Sequence, residues 1–129
     1  MLDMEDLLIK KTKYTVGVSF MARSRGLLEI EGASYPENAF EFFEPLKSWL
    51  DHYLNVINPP EITANLRINY LNTSSSKCFY DILELLGKYQ KGGGALKINW
   101  YYQSDDDDML ETGKELMDDA EVEMEFIPY

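Results

Sequence analysis

Between Leu66 and Leu86 the spacing of apolar residues changes from two to three-and-four across one short polar run. Leu66, Ile68 and Tyr70 alternate with Arg67 and Asn69, which predicts a strand. Cys78, Ile82, Leu85, Leu86 and Tyr89 recur at helical spacing, which predicts a helix running to about Tyr89. The junction is Asn72-Thr73-Ser74-Ser75-Ser76. Asn72, Thr73 or Ser74 can each serve as N-cap, because each side-chain oxygen can accept from the first free amides. Those amides and the helix dipole also favour negative charge. Thr73, followed one turn later by Lys77, is therefore a candidate phosphoryl acceptor, with an ordinary N-cap as the plainer alternative.

Similar changes of period recur along the chain. Residues 1–12 mix charges around Leu7, Leu8 and Ile9 and are compatible with a loose arm or a short edge strand. This sets an expected division into an arm, 1–12, and a domain, 13–129. Tyr14 to Met21 alternates, Arg23-Ser24-Arg25-Gly26 reads as a turn, and Leu27 to Glu31 reads as a return strand, together a hairpin. Asn38 and Glu41 have capping-box spacing ahead of a helix whose apolar face runs from Ala39 to Leu54. Pro45 inside it predicts a kink or a restart. Asn58-Pro59-Pro60 ends it. Gly92-Gly93-Gly94 follows a helix and precedes a strand, the reverse of a phosphate loop, so it reads as a C-cap and turn. Leu96 to Tyr102 is a strand. A final helix, shorter than the others and weakened by Gly113, precedes a terminal strand around Val122, Met124 and Phe126.

The expected order is β-β-α-β-α-β-α-β, a single α/β domain with a mixed, largely parallel sheet packed by helices. Right-handed crossovers place the carboxyl ends of the strands at 27–31, 66–71 and 96–102 on one rim. Functional sites of open α/β sheets lie at that rim. The loops SYPEN, NTSSS and QSDDDD are therefore expected together around Thr73.

Charge narrows the function. With 23 acidic and 12 basic residues the net charge is −11. Such a surface repels nucleic acid and anionic membrane, so neither is an expected partner. The acidic start, MLDMEDLL, does not read as a secretory signal, no apolar run reaches membrane-span length, and the single cysteine cannot form an internal disulfide. A cytoplasmic protein is expected.

Catalytic chemistry finds little support. Asp105 to Asp108 is a contiguous run, and contiguous carboxylates point in different directions, whereas a hard-cation loop spaces its oxygens. An N-cap with a dipole-compensated first turn explains it, so no metal is expected. Cys78 lies on an apolar helix face and His52 has no nucleophile beside it in sequence. Neither a catalytic residue nor a cofactor is expected, and the chain reads as a binding protein. Tyr35, in a rim loop, is a candidate interface anchor.

Two blocks, GASYPENAFEFFEPLKSWLDHYL at 32–54 and YLNTSSSKCFYDILELL at 70–86, resemble the SiaC family of bacterial regulatory phosphoproteins, in register from about Leu27 to Trp100. The resemblance implies a STAS-like fold, similar to that of anti-sigma-factor antagonists. It implies that Thr73 is the phosphosite. The implied partners are a Ser/Thr kinase of the anti-sigma-factor type, a PP2C-type phosphatase and, as output, a diguanylate cyclase in c-di-GMP signalling that governs biofilm formation, or another output protein. The expected partner-binding residues are Tyr35, Pro36, Glu37, Asn38, Leu71, Asn72, Thr73, Ser74, Ser75 and Lys77. An anti-sigma-factor antagonist acting on transcription is the alternative, and a small metal-binding enzyme a more distant one.

Overall fold

The alternating segments assemble into one six-stranded sheet in a computed structural model that describes residues 4–22 and 26–129. In chain order the elements are β1 (Leu7–Ile9), β2 (Gly17–Met21), β3 (Leu27–Ser34), α1 (Ala39–His52), a π-helical turn (Tyr53–Ile57), β4 (Glu61–Leu71), α2 (Thr73–Lys91), β5 (Ala95–Tyr102), α3 (Asp107–Ala120) and β6 (Glu125–Pro128). Each strand lies beside its sequence neighbour. The pairings β1/β2 and β2/β3 are antiparallel, and β3/β4, β4/β5 and β5/β6 are parallel. The expected mixed, largely parallel α/β sheet is present, with one strand added at the front. Of the two alternatives for the first residues, Leu7–Ile9 takes the edge strand. Residues 23–25 of the expected turn lie outside the described residues, and Gly26 closes it at φ 68°.

Successive crossovers of one hand place all three helices on one face, α2 lying between α1 and α3. Inward residues alternate along the strands: Val18 and Phe20, Leu28 and Ile30, Ile62, Ala64, Leu66 and Ile68, then Ile98 and Trp100. They meet Phe43, Leu46 and Leu50 of α1, and Phe79, Ile82, Leu83 and Leu86 of α2. Phe43 meets Phe79 edge-on at 5.9 Å, and Phe79 meets Trp100 edge-on at 6.4 Å, so one aromatic chain crosses the core. The opposite face carries Glu29, Asn65 and Arg67, with none of the described helices over it. No helix among the described residues is long and apolar enough to cross a membrane.

Several departures from the sequence reading have local causes. The strand expected from Tyr14 begins at Gly17, because Thr12 Oγ1 accepts from the Tyr14 and Thr15 amides at 3.2 and 3.0 Å. That side-chain turn competes with the ladder. Of the two readings of Pro45, the restart does not occur, because helix α1 runs from Ala39 to His52 with Pro45 inside it. Pro45 and Glu41, whose carbonyl loses its partner, both face solvent, so water can hydrate that carbonyl. Helix α3 is as long as α1, at 14 residues each, and Gly113 is a packing residue. A Cβ there would stand 2.7 Å from Trp100 Cε2. Another departure, a bulge in β4, shapes the site.

Candidate functional site

Strand β4 enters the rim with Leu66 and Ile68 buried, and alternation alone would bury Tyr70 next. The pairing with β3 instead slips by one residue, from Gly32↔Ile68 to Ala33↔Tyr70. The extra residue is Asn69, and Gly32 accommodates the distortion at φ 115°. Past the bulge Tyr70 turns outward, 42% exposed, and Leu71 turns into the core. The Tyr35 ring stacks on Tyr70 with centroids 4.7 Å apart and planes 21° from parallel.

The next residue fixes the helix start. Asn72 is the N-cap of α2, its Oδ1 accepting from Ser75 N–H at 2.9 Å. Its Nδ2 donates to the Pro36 carbonyl at 3.1 Å, and its own N–H donates to the Ser34 carbonyl at 3.1 Å. One asparagine thus ties the SYPEN loop to the start of α2. Beneath it Ser34 Oγ and Ser75 Oγ share a hydrogen bond of 2.7 Å, both side chains completely buried. Of the three cap candidates the structure selects Asn72, whose short amide can bind both loops at once.

Thr73 is consequently the first helical residue and not the cap. Its side chain is exposed, and its hydroxyl makes no hydrogen bond among the described residues. The amides of Thr73 and Ser74 are the first two of the helix and lack intrahelical acceptors. A free hydroxyl therefore stands at the positive end of a 19-residue helix. Ser74 and Lys77 are exposed beside it, with Lys77 one turn along.

Two of the expected contact residues, Leu71 and Ser75, have buried side chains, the first turned inward past the bulge and the second bonded to Ser34. Tyr35, Glu37 and Asn38 are exposed and Pro36 is half-buried. Asn38 is committed to α1 as its N-cap, accepting from Glu41 N–H at 3.2 Å while donating to Glu41 Oε2 at 3.1 Å. SYPEN and NTSSS meet as expected. The third loop engages the last residue, Ser104 N–H donating to the Tyr129 carbonyl at 2.9 Å. Asp106 caps α3 by accepting from Met109 N–H at 3.1 Å, with Asp107 and Asp108 in the first turn.

Ser34 and Tyr70 were not legible as site residues. Ser34 sits in SYPEN but carries no sign of its buried partner, and Tyr70 follows the alternation that the bulge breaks. Cys78 is buried, and desolvation, the largest influence on its thiol, pushes its pKa up, as for an inert core thiol. His52 is exposed at the end of α1. No cluster of three or more metal-ligating side chains occurs among the described residues.

The family model described as SiaC family regulatory phosphoprotein matches residues 9–129. An uncharacterised protein of Pseudomonas aeruginosa (strain UCBPP-PA14) is 34% identical over 117 residues, covering 91% of each chain. The crystal structure of apo-SiaC from Pseudomonas aeruginosa superposes with a TM-score of 0.84 at 32% identity, covering 96% of this chain and 99% of that one. SiaC in the crystal structure of the diguanylate cyclase SiaD with its activator SiaC, from the same organism, superposes with a TM-score of 0.88 at 31% identity. That match covers 96% of this chain and 100% of the other.

Proposed function

From the premise that this chain belongs to the SiaC family of regulatory phosphoproteins, we propose that it is a partner-switching protein controlled by reversible phosphorylation of Thr73. The observation that carries the reading is the hydroxyl of Thr73, exposed and unbonded at the first position of α2 while Asn72 holds the cap. A kinase has no capping bond to break there. The phosphate it adds brings a charge of about −1.5 to −2 and meets two free amides and the helix dipole.

The protein acts by binding and not by catalysis, in the cytoplasm. Its output partner is a diguanylate cyclase, a reading supported by the SiaC that superposes so closely, which is the activator of SiaD. A Ser/Thr kinase of the anti-sigma-factor type and a PP2C-type phosphatase add and remove the phosphate, tying the chain to c-di-GMP signalling and biofilm control. The unmodified form binds the cyclase. An interface that closes over the start of α2 must strip water from the phosphate, a cost that two amides and the helix dipole offset only in part. Even an incomplete penalty of about 3 kcal/mol weakens binding more than a hundredfold, each 1.4 kcal/mol being about tenfold.

The test is the affinity of the source organism's cyclase for unmodified, phosphorylated and Thr73→Ala protein at one salt concentration. Thr73→Ala is expected to bind like the unmodified form and the phosphorylated protein about a hundredfold more weakly or worse. Equal affinities for all three, or a native phosphate mapped to Ser74 or Ser76 alone, would overturn the assignment.

A further inference from the structure

The helices cover one face of the sheet, and the residues gathered at the carboxyl end of the other have an interface composition. Seven large hydrophobic side chains are exposed among the described residues, and four of them are Tyr14, Tyr35, Tyr70 and Tyr129. Tyr14 meets Tyr35 edge-on at 6.1 Å, and Tyr35 stacks on Tyr70 at 4.7 Å. Three residues back along β4, the Arg67 guanidinium lies 4.7 Å from the ring centroid of Tyr101 and 5.3 Å from that of Tyr129. Glu31 is the cross-strand neighbour of Arg67 on β3. Yet Arg67 makes no ion pair or hydrogen bond with any acceptor among the described residues. Its side chain is held by rings while its donors stay open.

We propose that this tyrosine–arginine face is the docking surface for the output partner, which places a carboxylate on Arg67 and apolar side chains on the tyrosine rings. The inference rests on the partner-switch reading and adds where the partner sits and what it must carry. Tyrosine and arginine are the residue types that concentrate binding energy at protein interfaces. Rings already stacked lose little rotamer freedom when a partner covers them. A guanidinium resting near two aromatic rings with its donors open can offer its N–H fork to a planar acceptor, and a carboxylate matches it with two oxygens. On a chain of net charge −11 an unpaired cation inside a tyrosine patch is a local reversal of sign, which selects an acidic group. The face is also continuous with the switch. Tyr35 leads into Pro36, whose carbonyl is bonded to Asn72, and Tyr70 is three residues from Thr73. A phosphate on Thr73 therefore stands at the border of this surface.

The experiment measures the source organism's diguanylate cyclase binding to the whole chain and to Arg67→Glu, Tyr70→Ser and, as a control on α3, Lys114→Glu. Melting curves establish that each variant is folded. Arg67→Glu and Tyr70→Ser are expected to lose about tenfold or more in affinity, and Lys114→Glu to stay within about twofold. Restoration of Arg67→Glu by one Asp→Arg or Glu→Arg change on the cyclase identifies the carboxylate. Wild-type affinity in both face variants overturns the docking surface while leaving the cyclase reading intact. Failure of the unaltered chain to bind overturns the cyclase reading instead. The face is then read by a photo-reactive phenylalanine at position 70 in the native host. Crosslinks to an acidic segment of another protein support the surface. No crosslink above that of the same group at position 114, or crosslinks only to a second copy of this chain, overturns it.

Discussion

Ser34 and Ser75 are joined by a 2.7 Å hydrogen bond across 41 positions of sequence, with neither side chain reached by solvent. The bond couples the end of β3 to the first turn of α2. Ser34→Ala or Ser75→Ala alone leaves a buried hydroxyl unpaired and is expected to cost about 1–3 kcal/mol. Removing both leaves no orphan, so the double variant should cost less than the sum by about 0.5–3 kcal/mol. Urea unfolding of the four proteins measures the coupling, and simple additivity would show that the bond contributes nothing.

Asn72 and Thr73, neighbours in sequence, should differ sharply in what they hold. Asn72→Ala loses a cap, worth about 0.5–2 kcal/mol, and the tie to Pro36, worth about 1 kcal/mol more. Thr73→Ala removes an exposed hydroxyl without a partner and should stay within about 0.5 kcal/mol of the parent. Thermal melts of the pair test this. A large loss from Thr73→Ala would mean that the hydroxyl is engaged and not free for a kinase.

Gly113 inverts the usual rule for a glycine inside a helix. Alanine there gains about 1 kcal/mol of helix propensity. Its Cβ would meet the Trp100 ring at 2.7–2.8 Å, and the Phe126 ring at 2.9 Å, inside the packed layer between α3 and the sheet. Overpacking of this kind costs about 1–3 kcal/mol. Gly113→Ala should therefore lower the urea midpoint, and a raised midpoint would refute the packing role.

Two core tyrosines set an alkaline limit. Desolvation, the largest influence on each, raises the phenol pKa of Tyr53 and Tyr89 above the ordinary value of 10.0. The folded state holds these protons more tightly than the unfolded state does. Their contribution is complete below pH 10.0 and falls once the unfolded phenols ionise and the pH climbs toward the folded values. Tyr89→Phe also forfeits the 2.7 Å bond to the Pro59 carbonyl, so it should be weaker near neutrality. It should then lose less stability than the parent between pH 9 and pH 11, about one unit either side of the ordinary value. Parallel pH dependences for the two proteins would contradict this.

Period carried most of the fold. Leu28 and Ile30, Leu66 and Ile68, and the stripe from Cys78 to Tyr89 all face where their spacing puts them. The misplacements come where a side chain or an extra residue overrides the period. Thr12 folds the chain back before β2, and Asn69 shifts the register so that Tyr70 and Leu71 exchange faces. Neither event leaves a mark in apolar spacing. The start of β4 was hidden because Ala64 and Asn65 are weak strand formers, although Ile62 and Ala64 continue the buried row. At the site, Asn72, Thr73 and Ser74 are chemically interchangeable as caps. What separates them is the Pro36 carbonyl, 36 residues earlier, which only the fold brings within reach.

Because every strand lies beside its predecessor, the order in which the sheet is built can match the order in which the chain is made. β2 needs nothing beyond β1 and β3, and each later strand joins an edge already formed, bringing its helix with it. Synthesis proceeds from the amino end, and segments that pair with earlier sequence need not wait for later sequence. The rim around Thr73 draws on β3, α1, β4 and α2, all of which leave the ribosome before β5. The rim around Thr73 is thus complete in sequence before β5, α3 and β6, which close the core beneath it.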